Sequence, residues 1–83
     1  MTIPTLADAP PTCDSLTDYD RLHFKTYARL LDAAAEEADW REVARIVLRL
    51  DVARDPERAR RVYEAHLARA RWMTHTGYRA MLN

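Results

Sequence analysis

Apolar residues recur at helical spacing through three stretches of the chain. From about 18 to 37, at roughly 100° per residue, Tyr19, His23, Phe24, Tyr27, Leu30, Leu31, Ala34 and Ala38 share one broad face. Arg21, Lys25, Arg29, Asp32 and Glu36 lie opposite, on a solvated surface, and Leu22 falls outside the apolar sector. Asp18 and Asp20 sit where acidic groups favour a helix start, near Thr17 or Asp18. A second helix over 40–50 opens on Asp39-Trp40-Arg41-Glu42, an acid at the N-cap with a glutamate three positions on. Its buried stripe is Trp40, Val43, Ala44, Val47 and Leu50, broadened by Leu48. Arg41, Glu42, Arg45 and Arg49 face water. Val43, Ile46 and Val47 are β-branched and poor helix formers, so packing must hold this helix.

The turn Asp51-Val52-Ala53-Arg54 leads into Asp55-Pro56, an N-cap acid followed by proline at the first helical position. A third helix is predicted from Pro56 to about Met73 or Thr74, with Ala59, Val62, Tyr63, His66, Leu67, Ala70 and Met73 as its core face. Gly77, the one glycine, marks a cap or turn. A short terminal helix near 77–82 would fold Tyr78, Met81 and Leu82 back on the core. Residues 1–16, with Pro4, Pro10 and Pro11 and no apolar periodicity, are expected to be disordered or loosely draped. No strand pattern and no repeat occurs. The fold class is an all-α small helical bundle with a helix-turn-helix-like core in residues 17–83.

Eighty-three residues make one domain at most, burying only about 60% of its unfolded surface. Cys13 has no partner for an internal disulfide and fits a reducing compartment. The N-terminus has neither the basic nor the apolar region of a secretory signal, and no run suits a membrane span, so a cytoplasmic monomer is expected. Twelve of the thirteen basic residues are arginine, a bias that suggests a GC-rich bacterial genome. The formal net charge of zero is unevenly spread. Residues 1–39 hold three basic and eight acidic side chains, a net −5, so the remainder, with ten arginines against five acids, is +5. The acidic half would repel a DNA duplex unless it faces away.

Catalysis finds no constellation here. His23 and His66 fall on core faces, where a histidine is usually packed and hydrogen-bonded, and His75 has no neighbouring carboxylate. Cys13 lacks an activating context, no Cys/His spacing suits zinc, and Glu36, Glu37 and Asp39 make a helix end. Neither a catalytic residue, a metal nor a cofactor is expected. The exposed side of the third helix carries more information. Arg61, Ala65, Ala68 and Trp72 lie opposite the core face, with Arg58 and Arg69 on one edge and Arg60, Glu64 and Arg71 on the other. Trp and Arg are the types most enriched at binding hot spots, and alanines allow close approach. Arg58, Arg61, Ala65, Ala68, Arg69 and Trp72 are therefore the candidate partner-binding residues, although Trp72 could equally support the terminal helix. Arginines suit phosphate as well. Base-reading helices commonly use Asn, Gln or Ser, however, where this helix has alanine, and Glu64 fits a groove poorly.

DWREVARIVLRLD, the DPERARR helix start and HLARARWMTHTGYRAML, preceded by YDRLHFKTYARLLDAAAEEADW, resemble a small-domain family of proteobacterial integrative and conjugative elements. That family is typified by the quorum-sensing antiactivator QseM. The resemblance covers roughly Tyr19 to Leu82, and Arg69–Met73 with Gly77-Tyr78-Arg79 is its most distinctive part. It implies a helix-turn-helix-like fold used to control excision and horizontal transfer of the element. Stand-alone members bind transcriptional activators, namely a LuxR-type quorum-sensing regulator and a second activator containing related domains. Related domains in longer proteins bind DNA. A chain too short for a second domain points toward the antiactivator. The resemblance assigns no individual residue, and the turn Asp51–Arg54 lacks the glycine common in DNA-reading units. The leading expectation is an antiactivator that masks an activator with the third-helix face. The second is a DNA-binding transcriptional regulator that uses the same helix.

Overall fold

A computed structural model describes residues 6–77, and the backbone of these residues forms four α-helices and a closing π-helical turn. Helix α1 (Asp18–Leu22) starts at a reciprocal capping box. The Asp20 amide donates to the Thr17 hydroxyl at 3.3 Å, and the Thr17 amide donates to Asp20 Oδ2 at 3.0 Å. Helix α2 (Phe24–Ala35) follows after a single residue. The continuous helix expected over 18–37 is thus broken at His23, whose backbone sits at φ −107°, ψ 15°. The His23 ring is buried, and its Nδ1 donates to the Tyr19 carbonyl at 2.8 Å. The His23 amide is drawn to both the Tyr19 and Asp20 carbonyls, so this side chain competes with the backbone at its own turn.

Helix α2 stops two residues before the expected end, in a Schellman motif. The Ala38 amide donates to the Ala33 carbonyl and the Glu37 amide to the Ala34 carbonyl. This closure places Glu37 at φ 57°, a left-handed position that glycine would occupy more cheaply. Helix α3 (Trp40–Ile46), capped by the Asp39 carboxylate, is also shorter than the expected 40–50. Its last turn widens as the Leu48 amide reaches the Val43 carbonyl and the Leu50 amide reaches the Ala44 carbonyl, with Arg49 left-handed at φ 56°. This unwinding brings Leu48 into the core, 2% exposed. A stretch with three β-branched residues gives up little helix propensity for that burial.

The link runs from Val47 to Asp55, longer than the turn of about 3–4 residues of a tight helix-turn-helix unit. Within it the Arg54 amide donates to the Asp51 carboxylate and the Asp55 amide to the Asp51 carbonyl. Helix α4 (Pro56–Trp72) begins as the sequence predicts, with the Asp55 carboxylate accepting from the Arg58 amide and Pro56 at the first position. It gives way at Met73–Gly77 to the π-helical turn. Apart from Gly77, the terminal helix expected near 77–82 lies outside the described residues.

Helices α2 and α3 both pack on α4. The apolar core joins Leu30 of α2, Val43 and Ala44 of α3, Leu48 beyond it, and Tyr63 and Leu67 of α4. All the residues predicted for the α4 core face are buried, except Met73, which is half-buried. Leu22 is exposed as predicted, and Ile46, which the periodicity assigned to neither face, is exposed as well.

Candidate functional site

The long helix α4 is held by its core face, and it turns the other side outward. Arg58, Arg60, Arg61, Glu64, Ala68 and Arg71 are exposed along it, and Arg54 is exposed in the preceding link. Arg60 Nε donates to Glu64 at 2.9 Å, one turn on. Its guanidinium also lies 5.5 Å from the Trp40 ring centre, and Arg41 lies 5.3 Å from the same ring. Glu64, which looked ill-suited to a DNA groove, therefore has a neutralising partner on its own helix.

The six candidate partner-binding residues divide. Arg61 and Ala68 are exposed, as expected, and Ala65 and Trp72 are half-buried. Arg58 is exposed, but its guanidinium holds the Asp8 carboxylate at 2.6 Å. Arg69 is not on the outer face: it is 5% exposed. Helical phase alone put it at the edge of the exposed side. Its long side chain instead reaches inward, where a buried carboxylate compensates the cost of desolvating the charge.

That carboxylate is Asp20. Arg69 binds it through both branches, Nε to Oδ1 at 3.0 Å and Nη2 to Oδ2 at 2.7 Å. The Tyr27 hydroxyl donates to Oδ1 at 2.9 Å. Burial pushes the Asp20 carboxyl up, but its bonds from Arg69, Thr17 and Tyr27 outweigh that and hold it at about 2. Burial and the neighbouring carboxylate raise the Tyr27 phenol. Two further Arg69 donors go to the N-terminal segment, to the Cys13 carbonyl at 2.7 Å and the Ser15 carbonyl at 2.8 Å. The sequence offered a signal that pointed to Asp20. It lies three and seven residues before His23 and Tyr27, on the same face, so an acid in the core had to find a cation.

A histidine–tyrosine cluster adjoins this ion pair. His66 Nδ1 donates to the Val62 carbonyl at 2.7 Å, so its Nε2 accepts from the Tyr19 hydroxyl at 2.6 Å. The Tyr19 oxygen in turn accepts the Ala7 amide at 3.0 Å. The His23 ring stacks on Tyr19 with centres 4.1 Å apart. Its buried Nε2 has no hydrogen-bond partner. Burial lowers the His66 imidazole below its ordinary value, which keeps it neutral as an acceptor. Both histidines are packed core groups, as their positions predicted. Among the described residues no three His, Cys, Asp or Glu side chains gather as metal ligands, and Cys13 is exposed.

The N-terminal segment lies along α4. Pro10 is buried. Ala9 to Thr12 face Ala65, Ala68, Arg69 and Trp72 across a groove of about 280 Å³. Trp72 carries the Arg69 guanidinium 3.8 Å from its ring centre. The surface expected to receive a partner is thus partly occupied by the chain's own residues 8–13.

The sequence matches, over residues 4–83, the RovC DNA-binding family, described as the DNA-binding domain of a T6SS transcription factor. The chain belongs to that family. No curated protein matches it. The family is one of DNA-binding domains, so its membership favours the second expectation over the antiactivator, and nothing in the match speaks for inhibition of another protein. No helix among the described residues is long and apolar enough to cross a membrane.

Proposed function

We propose that this chain is a DNA-binding domain of a transcription regulator that sets α4 in the major groove. The observation that carries the reading is the set of exposed arginines at the start of α4, Arg58, Arg60 and Arg61, on a helix of the DNA-binding family. In helix-turn-helix readers the N-terminal part of the second helix meets the base edges, and flanking cations meet phosphate. Arg58 and Arg61 belong to the first two turns of α4, and Arg54 flanks them from the link. Held by Trp40 and Glu64, Arg60 is suited to a phosphate at the groove edge. The apolar contact of α4 with α2 and α3 keeps this surface rigid.

Titration of a fluorescent duplex at increasing salt tests the reading. The affinity of the native chain is expected to fall linearly with salt on logarithmic axes. Arg61→Ala is expected to weaken binding and lower the salt slope by about one if Arg61 meets a phosphate. Arg61 is exposed, so the melting temperature should not move. An antiactivator bound to a transcriptional activator is the second reading, favoured by the net charge of zero and the acidic first half. Capture of such an activator by a chain that binds no duplex at low salt would replace the first reading with the second.

A further inference from the structure

The ion pair between Asp8 and Arg58 joins residues fifty positions apart and is the contact of the N-terminal segment that lies nearest the start of α4. Both side chains remain largely exposed, 44% for Arg58 and 72% for Asp8, so neither is committed to the core. Asp8 is drawn mainly by Arg58 and also feels Arg61, which holds its carboxyl below the usual range. A carboxylate oxygen 2.6 Å from a guanidinium nitrogen has the charge, acceptor type and distance of a phosphate oxygen in the same place.

Resting on the DNA-binding reading, we infer that Arg58 is an anion site on α4 which Asp8 fills in the free protein and a DNA phosphate takes over on binding. The N-terminal segment is then a competitor carried by the domain itself. Four further contacts keep the competitor close: the Ala7 amide on Tyr19, buried Pro10, and the Cys13 and Ser15 carbonyls on Arg69. Pro10 and the Arg69 side chain that donates to the two carbonyls are buried, while the competing group is exposed. Asp8 can therefore leave Arg58 without the Arg69 seam opening. An exposed ion pair is weak, so the competition tunes affinity and leaves binding possible.

The test uses the full chain and a random-sequence duplex of about 20 base pairs in low salt, read by fluorescence anisotropy. Asp8→Asn is expected to tighten binding about two- to fivefold, the scale of an exposed pair. Raising the salt should narrow the gap from the native chain, since salt screens the internal pair. In an Arg58→Ala background Asp8→Asn should have no effect. Asp14→Asn removes the same charge from the same exposed segment and serves as the control. An equal gain from Asp14→Asn, or a gain that survives Arg58→Ala, overturns the competition and leaves DNA binding standing. Absence of binding by the native chain and every variant overturns both. Asp8 and Arg58 are exposed, so thermal melts of all variants should match that of the native chain.

Discussion

The two flanks of α4 are built from opposite materials. Toward α3 and the middle of α2 it buries Tyr63 and Leu67 against Leu30, Val43, Ala44 and Leu48. Toward α1 and the N-terminal segment it buries His66 and Arg69 against Tyr19, Asp20, Tyr27 and two backbone carbonyls. The apolar flank is non-directional: any side chains of suitable volume would hold the helix there. The polar flank is directional, since Asp20 and Arg69 fit only in one register and only while both are charged. The first therefore supplies adhesion. The second fixes where α1 and the N-terminal segment lie, and so where Asp8 meets Arg58.

The largest expected effect tests the polar flank. Asp20→Ala leaves the Arg69 guanidinium buried without its counter-ion, and urea denaturation should show a loss of about 3–5 kcal/mol. Adding Arg69→Met should recover much of it, because the uncompensated charge is gone. If the double variant is no more stable than the single one, the seam works by packing and not by charge. On the apolar flank, Leu48→Ala should cost about 2–4 kcal/mol in the same measurement. A much smaller cost would mean that the widened end of α3 closes over the cavity.

Acid titration separates the flanks further. His66 is held neutral, with its folded value below the ordinary 6.5, so the unfolded chain binds the extra proton more readily. Its stabilisation is complete above about pH 6.5 and declines as pH falls below it. The contribution of Asp20 is present above about 3.8 and is lost as pH falls toward about 2. His66→Gln should flatten the first decline, whereas Leu48→Ala should lower the whole curve without changing its shape. Equal flattening by both would sink the distinction. The smallest effect lies outside both flanks: Glu37→Gly relieves the left-handed backbone at the end of α2 and should stabilise by about 0.5–1 kcal/mol in thermal melts.

Most of the architecture was legible in one dimension. The 3.6-residue period located α4 and its core face, Asp55-Pro56 marked its start, and the same period placed Leu48 and Tyr27 inside. These features are local or depend on periodicity, and hydrophobic burial enforces them whatever the partner. Helix ends were less legible. The break at His23 and the early stop of α3 arise where a buried ring or Leu48 competes with the regular hydrogen-bond ladder, and α2 stops early in its Schellman closure. The candidate surface was legible as a face but not residue by residue. Arg61 and Ala68 are where the period puts them, whereas Arg69 left the surface for a carboxylate forty-nine residues away.

The sequence by itself determined an all-helical domain with an arginine-rich third helical stretch, because periodicity, caps and composition are properties of neighbouring residues. Which arginines remain outside was decided only in three dimensions. Arg58 and Arg69 are chemically the same and share one edge of the helix by phase, while Arg61 lies on its outer face. One meets Asp8, one faces solvent and one is drawn inward by Asp20, since charge pairing depends on distances through space that the order of residues does not contain.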